Sequence, residues 1–247
     1  MSGSINDFSP VQSVIVGFDG VNRVGKGTQA ELLKNFLESK GIKSAILRGD
    51  GSREGLGRDI IADPTSLWRQ KMRPILKNLS GSTYDEKARD EAARRLNREL
   101  SYFIYKYSNT SFVPILDRTI FSRRVTKSQH TQNSSFESLL SFYNGKHQGN
   151  PSNKKDTILP DVLFLLRGET SYLLDRLEKS FDGDVSQYQF RRHIILKYND
   201  FFNRKIDELP VELRNKTIVI DASLSIDHIK SIVQNNVMNL LCQKGIK

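Results

Sequence analysis

A run of nine residues, Gly20-Val21-Asn22-Arg23-Val24-Gly25-Lys26-Gly27-Thr28, constrains this chain more than any other part of it. Before it lies an apolar stretch over 13–18 with the size of a short buried strand. After it comes a pattern with Leu32, Leu33, Phe36 and Leu37 on one helical face, which Gly41 is expected to end. A Gly-x4-Gly-Lys spacing at a strand-to-helix junction lets successive backbone N–H groups converge on one anion, with the positive end of the helix dipole behind them. Glycine permits that closure because no Cβ stands in the way. The spacing alone arises by chance in roughly 7% of chains this long. Its position between a strand and a helix turns it into a phosphate-binding expectation. Gly20, Val24, Gly25, Lys26, Gly27 and Thr28 are the candidate phosphate-side residues, with Lys26 placed to reach the outer phosphates.

The remaining pattern alternates. Strands are expected at 44–47, 112–116, 161–166 and 217–220. Helices are expected at 65–79, 84–107, 170–179, 188–207 and 225–241, with a short candidate at 136–143. Pro114 is a mild objection to the third strand, because it removes one ladder donor. Strands that alternate with helices imply a doubly wound α/β fold, a parallel sheet of about five strands flanked by helices. At 247 residues the chain suits a single domain over 1–247. Within it, 1–12 reads as a polar tail, 126–157 as a polar insertion and 180–187 as a short lid.

Composition narrows the partners. Thirty-eight Lys and Arg against 28 Asp and Glu leave a net charge of +10, which suits a polyanionic ligand. The basic residues are interleaved with acids along the chain, so small polyanions are favoured over nucleic acid. No apolar run approaches the roughly 18 residues that span a bilayer. The polar first ten residues lack a secretory pattern. A single cysteine, Cys242, excludes an internal disulfide framework. A cytoplasmic location without membrane contact is the expectation. The histidines at 130, 147, 193 and 228 have no metal-ligand spacing, and Trp68 reads as a packing residue.

Asp19 to Gln29 resembles the phosphate loop of thymidylate kinases, and four further segments match that family in order. Asn97-Arg98 is similar to its base-pocket pair, and Asp117-Arg118-Thr119-Ile120-Phe121-Ser122 to its Asp-Arg-Tyr-x-x-Ser segment. Leu159-Pro160-Asp161 is similar to its Pro-Asp strand, and Ile220-Asp221-Ala222-Ser223 to the segment beside the adenine. The Gly-Lys-Gly-Thr form of the loop is also that of adenylate kinases. It moves the usual magnesium-ligating hydroxyl by one position, to Thr28.

The resemblance implies phosphoryl transfer from ATP with Mg²⁺ to a small nucleotide acceptor, and it is compatible with a homodimer. In that reading Lys26, Arg23, Asp117 and Arg118 are catalytic, and Arg23 stabilises charge in the transition state. Thr28 and Asp117 serve the metal. Arg176, Ala222 and Ser223 lie along the adenine. Asp19, Asn22, Arg48, Arg53, Arg94, Arg98, Arg118 and Ser122 serve the acceptor, where a planar guanidinium suits a phosphate.

Three departures bear on the acceptor. The family's loop aspartate is Asn22, its tyrosine after Asp-Arg is Thr119, and its aromatic three residues before Asn97 is Arg94. A thymidylate kinase-like activity is therefore the first expectation. A related kinase for another nucleoside or nucleotide is the second, and a non-catalytic nucleotide-binding or nucleic-acid-associated protein the third.

Overall fold

The computed structural model describes residues 14–47, 112–119, 159–204, 209 and 211–246. Strand β1 (Val16–Asp19) runs into the glycine loop and then into helix α1 (Lys26–Ser39). Strands β2 (Lys43–Leu47), β3 (Phe112–Asp117) and β4 (Val162–Arg167) follow, then helices α2 (Thr170–Ser180), α3 (Val185–Arg204) and α4 (Val211–Arg214). Strand β5 (Thr217–Asp221) and helix α5 (Ile226–Gln243) complete the series. The five strands are all parallel, in the order β2-β3-β1-β4-β5.

The strands read as apolar runs because a parallel sheet is covered on both faces. β3 and β4 are buried from Phe112 to Leu116 and from Val162 to Leu166. Phe18 and Phe164 stack at 5.3 Å between ring centroids on adjacent strands. Right-handed crossovers place α1, which connects β1 to β2, on one face, and the helices between β4 and β5 on the other. α5 packs on α1, burying Ile229, Val233, Val237 and Leu241 at a spacing of one helical turn, while α3 packs on α2 and β4. Each such aliphatic side chain contributes about 1.5–3 kcal/mol by leaving water.

The predicted elements fall close to the observed ones, and the offsets have local causes. α1 ends where Gly41 takes a left-handed φ of +77°, with Gly41 N–H donating to Glu38 O (2.9 Å) and Ile42 N–H to Leu37 O (2.9 Å). α3 starts at Val185, earlier than the expected 188, because Asp184 caps its first turn: Gln187 N–H donates to its carboxylate at 2.8 Å. Its first residues were expected to belong to the lid, so the loop between α2 and α3 is only 181–184. Pro114 lies in a central strand. The β1–β3 ladder pairs Val16 with Ile115 and begins just after the proline. The four-residue α4 was not anticipated.

The helices expected at 65–79, 84–107 and 136–143, and the insertion at 126–157, lie outside the described residues. So do Arg48, Arg53, Arg94, Arg98, Ser122, Trp68, His130 and His147. Among the described residues no helix is long and apolar enough to cross a membrane.

Candidate active site

In an open parallel sheet, ligands bind at the carboxyl ends of the strands. Three of those ends, β1, β3 and β5, supply the residues singled out above, and β4 runs between them. β1 delivers the loop 20–25, β3 delivers Asp117 to Thr119, β4 ends at Arg167, and β5 leads into Ala222 and Ser223.

The loop is held in a narrow set of backbone conformations. Gly20 has φ +136°, and a Cβ there would stand 2.4 Å from the carbonyl oxygen of Leu166. Gly25, at φ +107°, is the residue from which α1 begins. Only two non-glycine residues among those described take positive φ, and both are arginines assigned to chemistry: Arg23 (+69°) and Arg118 (+81°). A left-handed conformation costs an ordinary residue about 1–2 kcal/mol. Such strain is retained where the surroundings enforce it, commonly at functional sites.

Lys26 is buried, and its ammonium donates to Val21 O at 2.8 Å. The lysine thereby closes the loop on itself. Arg118 donates through Nη2 to Asn22 Oδ1, and its backbone N–H continues onto Phe18 O at 2.9 Å. The arginine after β3 and the amide in the loop are therefore one unit.

Asp19 was expected to serve the acceptor. It is wholly buried, and its carboxylate accepts from both the N–H and the hydroxyl of Thr119, itself wholly buried. That placement gives Asp19 the task of fixing the turn that carries Arg118. Gly17 belongs to the same arrangement, since a Cβ there would come within 2.7 Å of Thr119 Cγ2.

Two neighbouring cavities lie over these groups. One, of about 410 Å³, is lined by Asn22, Arg23, Gly25, Lys26, Gly27, Thr28, Asp117, Arg118, Arg176 and Ser180. The second, of about 450 Å³, is lined by Val24, Gln29, Tyr172, Asp175, Lys179, Ala222, Ser223 and Ile226 among others. It shares Gly25, Thr28, Arg176 and Ser180 with the first. The first is cationic and the second mainly apolar, which matches a phosphate chain joined to a heterocyclic base. Arg176 stands at the junction, its guanidinium 3.6 Å from where a Cβ on Gly25 would be.

The turn bearing Ala222 and Ser223 is set by Asp221, whose carboxylate accepts Ser223 N–H at 2.8 Å. Those bonds from Ser223 hold the Asp221 carboxyl below its ordinary value. At the rim of the second cavity Asp175, 2.8 Å from the Lys179 ammonium, holds that lysine above its ordinary value.

Of the residues singled out from the sequence, Asn22, Arg23, Lys26, Thr28, Asp117, Arg118, Arg176, Ala222 and Ser223 line these two neighbouring cavities. Sequence reasoning missed Gln29, Tyr172 and Lys179. Gln29 is buried and donates to Ile226 O at 3.2 Å, tying α1 to the start of α5 beside the second cavity. It also missed that Phe181 carries the Arg23 guanidinium, at 5.9 Å from the ring centroid. For Gln29 a signal existed, since it directly follows Thr28 on the buried face of α1.

An all-parallel sheet in this order, with a glycine loop and a lysine between β1 and α1, is the α/β fold of P-loop kinases. Among known proteins, the chain is similar to the thymidylate kinase of Bifidobacterium longum strain NCC 2705. The two are 23% identical over 245 residues, covering 93% of this chain and 100% of that protein. The thymidylate kinase of Bifidobacterium longum subsp. infantis is 24% identical over 245 residues, 94% of this chain and 88% of that protein. A shorter stretch of 46 residues, 19% of this chain, is 41% identical to the adenylyl-sulfate kinase of Burkholderia ambifaria, where it covers 25%. No protein-family model matches the chain.

Proposed function

We propose that the chain transfers the terminal phosphate of ATP to a nucleoside monophosphate, with thymidylate as the first acceptor to consider. The observation that carries this reading is the convergence of Arg23, Lys26, Asp117 and Arg118 on one cavity of about 410 Å³, beside a second of about 450 Å³ with which it shares four lining residues. Similarity to two thymidylate kinases over nearly the whole chain supports the acceptor class.

Phosphoryl transfer asks a protein for alignment and for positive charge where charge develops. Loop N–H groups and Lys26 bind the donor phosphates, for which Lys26 exchanges its bond to Val21 O. Arg23, in the same loop, lies against the transferring group. Arg118, held by Asn22, receives the acceptor phosphate from the β3 side. The two arginines thus approach one cavity from two strand ends. Ala222, Ser223 and Arg176 flank the donor base.

The hydroxyl of Thr28 and the carboxylate of Asp117 are hard oxygen donors lining that cavity, alongside Ser180 and Asn22. Among the described residues no group of three or more His, Cys, Asp and Glu forms a metal cage. That set suits Mg²⁺, which is commonly held by one or two protein oxygens plus phosphates. When bound, it would neutralise phosphate charge. The protein reads as a cytoplasmic, single-domain enzyme of nucleotide biosynthesis, with the loop 181–184 and the first turn of α3 as the lid.

An acceptor screen tests the proposal. ADP release is measured with ATP, Mg²⁺ and each common nucleoside monophosphate, and Lys26→Met serves as control. Turnover with thymidylate, reduced by at least about 10²-fold in Lys26→Met, is expected. ATP binding without turnover on any monophosphate would refute it. One observation favours a second reading, a different nucleoside or nucleotide acceptor. The Asn22 carbonyl oxygen is taken by Arg118, so the loop presents an amide and no carboxylate to an acceptor sugar. Preferential turnover of another acceptor in the same screen would select that reading.

A further inference from the structure

Resting on the donor-site reading above, we propose that Phe181 is a positioning residue for Arg23, and that its ring holds this guanidinium at the rim of the phosphate cavity. Arg23 belongs to the loop and lines that cavity, whereas Phe181 follows α2, far away in sequence. The Arg23 guanidinium carbon nevertheless lies 5.9 Å from the Phe181 ring centroid, within the range of cation–π attraction.

The ring itself is fixed from several directions. Tyr188, on the first turns of α3, meets it edge-on at 5.6 Å between centroids. The Arg191 guanidinium lies 5.6 Å from the same centroid. Gly183 passes so close that a Cβ there would be 2.6 Å from the ring's Cζ. Any residue but glycine at 183 would force the ring or the loop to move, although Gly183 itself is exposed. Neighbours this close, from a short loop and the helix behind it, give the half-buried ring a definite place.

Arg23 needs such a partner. Its backbone is in the left-handed region, so its side chain leaves the loop in a direction that few residues adopt. A long side chain left free would spread over many rotamers. Settling it in advance removes part of the rotamer entropy that phosphate binding would otherwise have to overcome. The same contact links the loop between α2 and α3 to the phosphate loop, so a movement of one changes how the other presents its arginine.

Two readouts separate this inference from the function it rests on. The first needs no nucleotide. The Arg23 side-chain N–H resonance, assigned with Arg23→Lys, should carry a ring-current shift that vanishes in Phe181→Leu and persists in Phe181→Tyr. The second is calorimetry of ATP and ADP on the full chain. Phe181→Leu should weaken ATP roughly fivefold to tenfold while ADP stays within about twofold, and Phe181→Tyr should restore ATP binding. Gly183→Ala, which displaces the ring from an exposed loop, should reproduce Phe181→Leu and carries the experiment if the latter folds poorly. An absent ring-current shift, or equal losses for ATP and ADP, would overturn the inference. A ring-current shift that behaves as stated in a wild-type chain unable to bind ATP would overturn the donor-site reading while leaving the Arg23–Phe181 contact in place.

Discussion

Gly20 and Gly27 belong to the same loop motif and answer to different constraints. At Gly20, φ of +136° and a would-be Cβ 2.4 Å from Leu166 O leave no room for a side chain. Gly27, in the first turn of α1, has open space around its missing Cβ and an ordinary backbone. Gly20→Ala should therefore destabilise the fold by about 2 kcal/mol or more. Gly27→Ala should stabilise it by about 0.5–1 kcal/mol through the lower entropy of the unfolded chain and the higher helix propensity of alanine. Denaturant melts of the two variants check both signs. The Gly-x4-Gly-Lys spacing picked out Gly20 and the resemblance to a Gly-Lys-Gly-Thr loop picked out Gly27, and neither can tell a conformational requirement from a chemical one. Asn22 and Asp19 show the same limit. The resemblance assigned both to the acceptor; in the structure Asn22 accepts from Arg118 while lining the phosphate cavity, and Asp19 is buried against Thr119.

α3 illustrates how element boundaries depend on single side chains. Apolar periodicity located the helix but not its start, because the first turn (Val185-Ser186-Gln187) is exposed, polar but for Val185, and carries no periodic signal. What starts it is Asp184, which accepts from Gln187 N–H and from the hydroxyl of Ser186. Those bonds, that from Ser186 foremost, hold the Asp184 carboxyl below its ordinary value. A depressed folded-state value means that the cap contributes above the ordinary carboxylate range and is lost as pH falls through the folded value. The Gln187 amide resonance should accordingly shift with pH only in the acid range, below the ordinary carboxylate value of 3.8. Asp184→Asn should keep the turn and abolish that titration, since asparagine caps as well without a proton to gain. Asp184→Ala should fray the turn at neutral pH. A Gln187 amide that titrates unchanged in Asp184→Asn would show that another group governs it.

Across the molecule, sheet order and strand direction separate what holds the fold from what carries the chemistry. Leu159-Pro160-Asp161 was matched as the opening of a strand, and the structure gives that opening a physical role. Asp161 accepts Ile15 N–H at 2.8 Å just before β1, and the Lys244 ammonium at 2.8 Å just after α5. One carboxylate thus ties together the amino ends of two adjacent strands and the close of the last helix, at the end of the sheet opposite the cavities. Both side chains of the ion pair are partly buried, at 24% and 21% exposure, so removing the carboxylate takes a hydrogen bond from the Ile15 N–H and an ion-pair contact from Lys244. The alternation of strands and helices made this architecture legible, because parallel strands need crossovers and crossovers fix the end at which loops gather. The acceptor side was far less legible, since it depends on which side chains meet across β1 and β3. Asp161→Ala should lower unfolding free energy by about 1–3 kcal/mol in denaturant melts. ATP affinity measured well below the melting range should stay within about twofold, because the carboxyl ends of β1, β3, β4 and β5 are set by their own ladders and by Asp19–Thr119. A large loss of ATP affinity in a variant that remains folded would mean that the two ends of the sheet are coupled, contrary to this division.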